Sequence, residues 1–162
     1  MKKKLVKILV PVLALVLIVV LAVSLGGNLG GSSKKLSDFY NKVVESQELL
    51  DDVADDIYSN WYDAIYNDEF GEDINVAIAY AQVDHKEDLE KIELLEDEIT
   101  ELFKELKDDK NNGHLIKDVM SAYSDYYEFV VNVSGSFNSY SADKETLKKE
   151  LASTLKDLSY EL

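Results

Sequence analysis

The sequence predicts an all-α protein, an N-terminal transmembrane helix followed by an antiparallel bundle of about four helices running up-down-up-down. Three observations predict it. Residues Leu5 to Leu25 are apolar apart from Lys7 and Ser24. From Leu36 onward apolar residues recur at alternating steps of three and four, the spacing of one helical face. No stretch sustains the period-two alternation of a half-buried strand, and the only proline, Pro11, lies inside the first apolar run.

The first element, residues 1–25, reads as a membrane anchor. As a helix, Leu5 to Leu25 would span about 31 Å, close to the hydrocarbon thickness of a bilayer. Lys2, Lys3, Lys4 and Lys7 crowd its N-terminal end, and only Lys34 and Lys35 follow nearby. The positive-inside rule then keeps the N-terminus cytoplasmic and sends the rest of the chain across, giving a single-pass protein of the cell membrane with an extracytoplasmic domain. Ala22-Val23-Ser24 has the small residues that a signal peptidase reads, with cleavage after Ser24. However, the apolar run from Ile8 to Val23 exceeds the roughly 7–15 residues of a signal-peptide core, which favours a retained anchor. Residues 26–35, opening Gly26-Gly27-Asn28-Leu29-Gly30-Gly31-Ser32-Ser33, read as a flexible linker.

Residues 36–162 read as the bundle. The first stripe is Leu36, Tyr40, Val43, Gln47, Leu50, Ala54, Ile57, Trp61 and Ala64, with Gln47 its one polar interruption. Asn67 to Glu72 ends it with turn-prone residues. The second stripe runs Ile74, Ile78, Ala81, His85, Leu89, Ile92, Leu95, Ile99, Leu102 and Leu106. Asp73 is its expected N-cap, and Asp84-His85-Lys86-Glu87 reads as an internal capping box where the helix restarts near Val83. Lys110-Asn111-Asn112-Gly113 closes it. The third stripe is Leu115, Val119, Ala122, Tyr126, Phe129, Val130 and Val133, stopped by Ser134-Gly135-Ser136. A fourth helix is expected from about Ala142 with Ser141 as cap, carrying Leu147, Leu151, Leu155, Leu158 and Leu162.

Charge narrows the partners. Every basic residue is lysine, and the 127 residues from Leu36 carry 11 lysines against 32 carboxylates, a balance of −21. That field repels phosphate backbones, and without arginine the bidentate phosphate and guanine contacts are missing, so nucleic acid is not an expected partner. The absence of cysteine excludes disulfides, thiol catalysis, thiolate metal sites and lipidation at cysteine.

No catalytic or cofactor signature emerges. Di-iron bundles need Glu-x-x-His, but Gln82 and Asn111 precede His85 and His114 at that spacing. Zinc-peptidase, serine-hydrolase and phosphate-loop motifs are absent. Asp108 to Val119 has glycine at the sixth position of a calcium loop but Lys110 and Val119 where oxygen ligands belong. The chain is expected to be non-enzymatic, with no cofactor and no defined metal site.

Two features invite a binding function. Tyr58, Trp61, Tyr62 and Tyr66 crowd the far end of the first helix, and Tyr123 and Tyr127 sit on the third; both residue types are enriched in binding hot spots. Gln47 and His85, the polar breaks in two apolar stripes, suggest a pocket between helices. The lysine-rich start and the lack of cysteine and arginine resemble small membrane-anchored exported proteins of low-GC monoderm bacteria, a likeness of composition alone. The expected function is a membrane-anchored, extracytoplasmic protein-interaction module, partnering another protein or itself. Alternatives are a ligand-, glycan- or cation-binding sensor domain, and an immunity or exclusion protein acidic enough to meet a basic partner.

Overall fold

A computed structural model describes residues 31–162; the expected anchor, Leu5 to Leu25, and the linker up to Gly30 lie outside the described residues. The described residues form helices α1 (Gly31–Tyr66), α2 (Ile74–Asp84), α3 (Lys86–Leu106), α4 (Gly113–Val131) and α5 (Phe137–Ser159), with a 3-10 turn at Glu69–Glu72 and no strand. None of these helices is long and apolar enough to cross a membrane.

Helix α1 is the spine. Its 36 residues extend about 54 Å, and each of the other four helices packs on it. Side-chain pairs give the directions. Lys35–Glu105, Lys42–Glu98 and Asp56–His85 run in opposite senses along α1 and the α2–α3 arm. Ser46–Tyr123 and Asp51–Tyr126 ascend together, so α4 parallels α1, whereas Ala54–Tyr140 and Asp51–Lys148 set α5 against it. Helices α4 and α5 also pair closely with each other.

The apolar stripes are the packed faces. All nine residues of the first stripe are buried, Gln47 included, and Leu50, Ile57, Ile92, Ile99, Ile116 and Leu151 have no exposed surface. Burying each such side chain contributes about 1.5–3 kcal/mol, which explains why the stripes decide which way each helix faces.

Two boundaries differ from the expected ones, and the expected break in the second helix is made differently. Helix α1 begins at Gly31, inside the stretch expected as linker, because extending an existing helix adds one hydrogen bond per residue fixed, and Lys35 is tied to Glu105. The second predicted helix is two: His85 leaves the helical conformation at ψ 23° and separates α2 from α3. This is the expected break, but the Asp84–Glu87 capping box does not form: His85, not Asp84, holds the N-cap position, and its ring faces Asp56 and Asp88. Helix α5 begins at Phe137 rather than Ala142. Its cap is Ser136, whose hydroxyl accepts from the Ser139 N–H while Ser139 Oγ accepts from the Ser136 N–H.

Asp73 caps α2 as expected, accepting from the N–H groups of Asn75 and Val76. Gly135 adopts φ +88° between α4 and α5, a conformation only glycine takes freely. Gly113 opens α4 against the chain before it: a Cβ there would lie 2.8 Å from the Lys107 carbonyl oxygen.

Candidate interaction surface and the acidic face of the first helix

The far end of α1 gathers an aromatic cluster with Phe137, the first residue of α5. Tyr58 stacks on Phe137 with centroids 5.1 Å apart, Tyr62 and Tyr66 lie 6.1 and 6.2 Å from it, and Tyr62 sits 4.7 Å from Tyr66. Phe137 joins the cluster because α5 starts there, five residues before the expected Ala142. Trp61 meets Phe137 as well, at 6.1 Å, but also packs on Tyr140 at 5.5 Å and is 4% exposed.

The six nominated tyrosine and tryptophan positions therefore divide. Tyr62 and Tyr66 are 42% and 58% exposed, joined by Ile65 at 39%. Tyr58 and Tyr127 are half-buried. Trp61 and Tyr123 are corrected to core residues. Tyr123 has no exposed surface because it shares the inward face of α4 with Ile116, Val119 and Tyr126, and its hydroxyl meets Ser46 Oγ at 3.0 Å. Burial pushes the Tyr123 hydroxyl well above its ordinary range, which keeps it protonated and hydrogen-bonded.

The pocket expected between Gln47 and His85 does not assemble. His85 meets α1 at Asp56, nine residues beyond Gln47; that is two and a half helical turns, so the two project from opposite sides of α1. A half-open hollow of about 210 Å³ lies instead among Leu36, Leu106, Asp109, Asn111, Asn112 and Ile116 at the other end of α1. Neither Gln47 nor His85 lines it.

His85 is instead a clasp. Its Nε2 is 2.8 Å from Asp56 Oδ2 on α1 and its Nδ1 is 2.8 Å from Asp88 Oδ2 on α3. Two carboxylates on two ring nitrogens require both nitrogens to donate, which is the imidazolium form. Partial burial opposes that charge, yet the hydrogen bonds and fields of Asp88 and Asp56 outweigh it and hold the pKa above its ordinary value.

The carboxylates of α1 anchor α5 on the opposite side. Asp51 accepts from the Tyr126 hydroxyl at 2.6 Å and from Lys148 Nζ at 2.9 Å. Burial pushes the Asp51 carboxyl up, while Lys148 and the Tyr126 hydroxyl draw it back. Lys144 pairs with Asp55 and lies 4.7 Å over the Tyr58 ring, its side chain 10% exposed. These carboxylates are thus partly spent on lysines and a tyrosine of the protein itself. Glu48 and Asp52 are different: burial, then crowding by neighbouring carboxylates, raises both pKa values, although His85 pulls Asp52 the other way.

Reasoning from stripes missed one surface. Helix α2 buries Ala77 and Ala81 but exposes Val76, Tyr80 and Val83 at 47%, 55% and 72%. The signal was present: eight of the eleven residues from Ile74 to Asp84 are apolar, more than one face can hold. Among the described residues no group of three or more histidine, aspartate or glutamate side chains is placed to hold a metal ion. No protein-family model matches the chain, and neither a curated protein nor a solved structure does so.

Proposed function

We propose that residues 36–162 form a non-enzymatic protein-interaction module, a four-helix up-down-up-down bundle in which α2 and α3 act as one broken helix. In this reading Leu5 to Leu25 hold it in the cell membrane with the domain on the extracytoplasmic side. The observation that carries the proposal is the open tyrosine cluster: Tyr62, Ile65 and Tyr66 remain exposed at the end of α1, seated against Phe137. Large amphipathic rings held by their neighbours lose little entropy on binding and bury much area, which makes such clusters hot spots. The polar network of α1 supports the same reading, because Asp51 and Asp55 tie α4 and α5 to α1.

The test is crosslinking of the full chain in its native membranes, followed by affinity recovery. Wild type is expected to recover one partner protein at near-equal stoichiometry, and Tyr62→Ala/Tyr66→Ala to lose it while keeping its helical circular dichroism. Equal recovery by the variant removes the tyrosine cluster from the interaction.

A further inference from the structure

The outward face of α2 is a different surface at the same end of the molecule. Val76, Tyr80 and Val83 stand at positions i, i+4 and i+7, so they form one stripe about 11 Å long, and all three are exposed. The preceding turn adds to it. Asp68, Phe70 and Glu72 take left-handed backbone at φ 53°, 54° and 61°, a conformation costing about 1 kcal/mol or more for residues other than glycine. That turn places the Phe70 ring 5.6 Å from Tyr80, which extends the apolar stripe toward the helix start.

Carboxylates dominate the charges around this stripe. Between Lys42 and Lys86 the sequence holds twelve carboxylates and no lysine. Glu72 and Asp73 flank the stripe at its start, Asp84 and Glu87 at its end, and all four are exposed. The cations adjoining it are engaged elsewhere: Lys86 is directed to Glu90 at 3.7 Å, and the His85 imidazolium to Asp56 and Asp88. The ends of the stripe, Asp73 and Asp84, are about 16 Å apart along the helix.

We propose that this face docks a cationic amphipathic helix from a partner protein, two to three turns of apolar side chains over Val76, Tyr80 and Val83, with lysine or arginine reaching the carboxylates at either end. Charge complementarity selects this occupant. A second copy would bring the same carboxylates against one another, and anionic lipid headgroups would be repelled alike. Three exposed side chains and Phe70 form a small contact, well below the roughly 800 Å² per partner of a stable complex, so the association is weak, reversible and dependent on salt. This surface does not include the tyrosine cluster, so either can be lost without the other.

The experiment uses the full chain in nanodiscs of zwitterionic lipid. A labelled helical peptide of leucine and lysine with a two-to-three-turn apolar stripe is titrated by fluorescence anisotropy, beside glutamine-for-lysine and glutamate-for-lysine versions. The lysine peptide is expected to bind, the other two to bind at least about tenfold more weakly, and binding to fall as salt rises from roughly 50 to roughly 300 mM. Val76→Ser/Tyr80→Ser/Val83→Ser is expected to weaken the lysine peptide about tenfold with helicity retained, since these side chains face solvent. Glu72→Gln/Asp84→Asn/Glu87→Gln, which leaves the apolar stripe intact, is expected to weaken binding and flatten its salt dependence. Tyr62→Ala/Tyr66→Ala is expected to bind the peptide like wild type, so that failure here is told apart from failure of the tyrosine surface. Equal binding of the lysine and glutamine peptides, or unchanged binding by either the apolar-stripe or the carboxylate variant, overturns the proposal.

Discussion

Tyr126→Phe tests whether the polar network between α1, α4 and α5 holds the bundle together. The hydroxyl is buried and donates at 2.6 Å to Asp51 Oδ1, whose other oxygen receives Lys148; the Asp51 side chain is only 18% exposed. Phenylalanine keeps the ring and its packing, so no cavity is opened and the change isolates one hydrogen bond. A bond to a charged acceptor contributes about 1.5–3 kcal/mol net, against about 1 for a neutral pair. Lys148 and some water remain with the carboxylate, which places the expected loss near the lower half, about 2 kcal/mol. With a urea slope of about 2 kcal/mol/M, the midpoint should fall by about 1 M. Trp61, the single tryptophan and buried against Tyr140, reports unfolding by fluorescence. A shift below about 0.3 M would mean that water replaces the hydroxyl at no cost, and the network would then be surface decoration rather than a pin between helices.

Two further outcomes follow from the same structure. The His85 clasp is expected to stabilise most in acid: its folded-state pKa lies above the unfolded value of about 6.5, so its contribution is full below that value and is lost as pH rises through the folded-state pKa. The margin of wild type over His85→Gln in urea melts should therefore be larger at about pH 5.5 than at about pH 9, and an equal margin at both would show that the ring is held as a neutral hydrogen-bonding group. Gly113→Ala should destabilise by about 1–3 kcal/mol, because its methyl group would meet the Lys107 carbonyl oxygen at 2.8 Å and backbone must move; a thermal midpoint unchanged from wild type would refute the close approach.

The periodicity of three and four carried the helices and their inward faces, since burying an apolar stripe is the dominant stabilising term and a helix displays its stripe in the sequence. Asp73, Gly135 and the break at His85 were legible for a local reason: a cap, a left-handed turn and a polar interruption each depend on a few neighbouring residues. The start of α5 was misread because its capping box closes through Ser139 rather than the usual glutamate or glutamine. The exposed face of α2 is not legible from one apolar stripe, because Ala77 and Ala81 already supply a buried side and that stripe does not mark Val76, Tyr80 and Val83 as a second one.

Adjacency in sequence says nothing about what covers a side chain from outside its own helix. Trp61 and Tyr62 are neighbours about 100° apart on α1, yet α5 covers the first with Tyr140 and leaves the second 42% exposed. His85 invited a pocket with Gln47 until the docking of α3 against α1 brought it to Asp56, on the far side of the helix from Gln47. The sequence by itself determined helical content, core faces and the acidic balance, because each is a property of residues close together along the chain or of their sum. Only the tertiary structure decided which aromatics reach solvent and which carboxylates are paired, because both depend on helices that meet from 29 to 89 residues away.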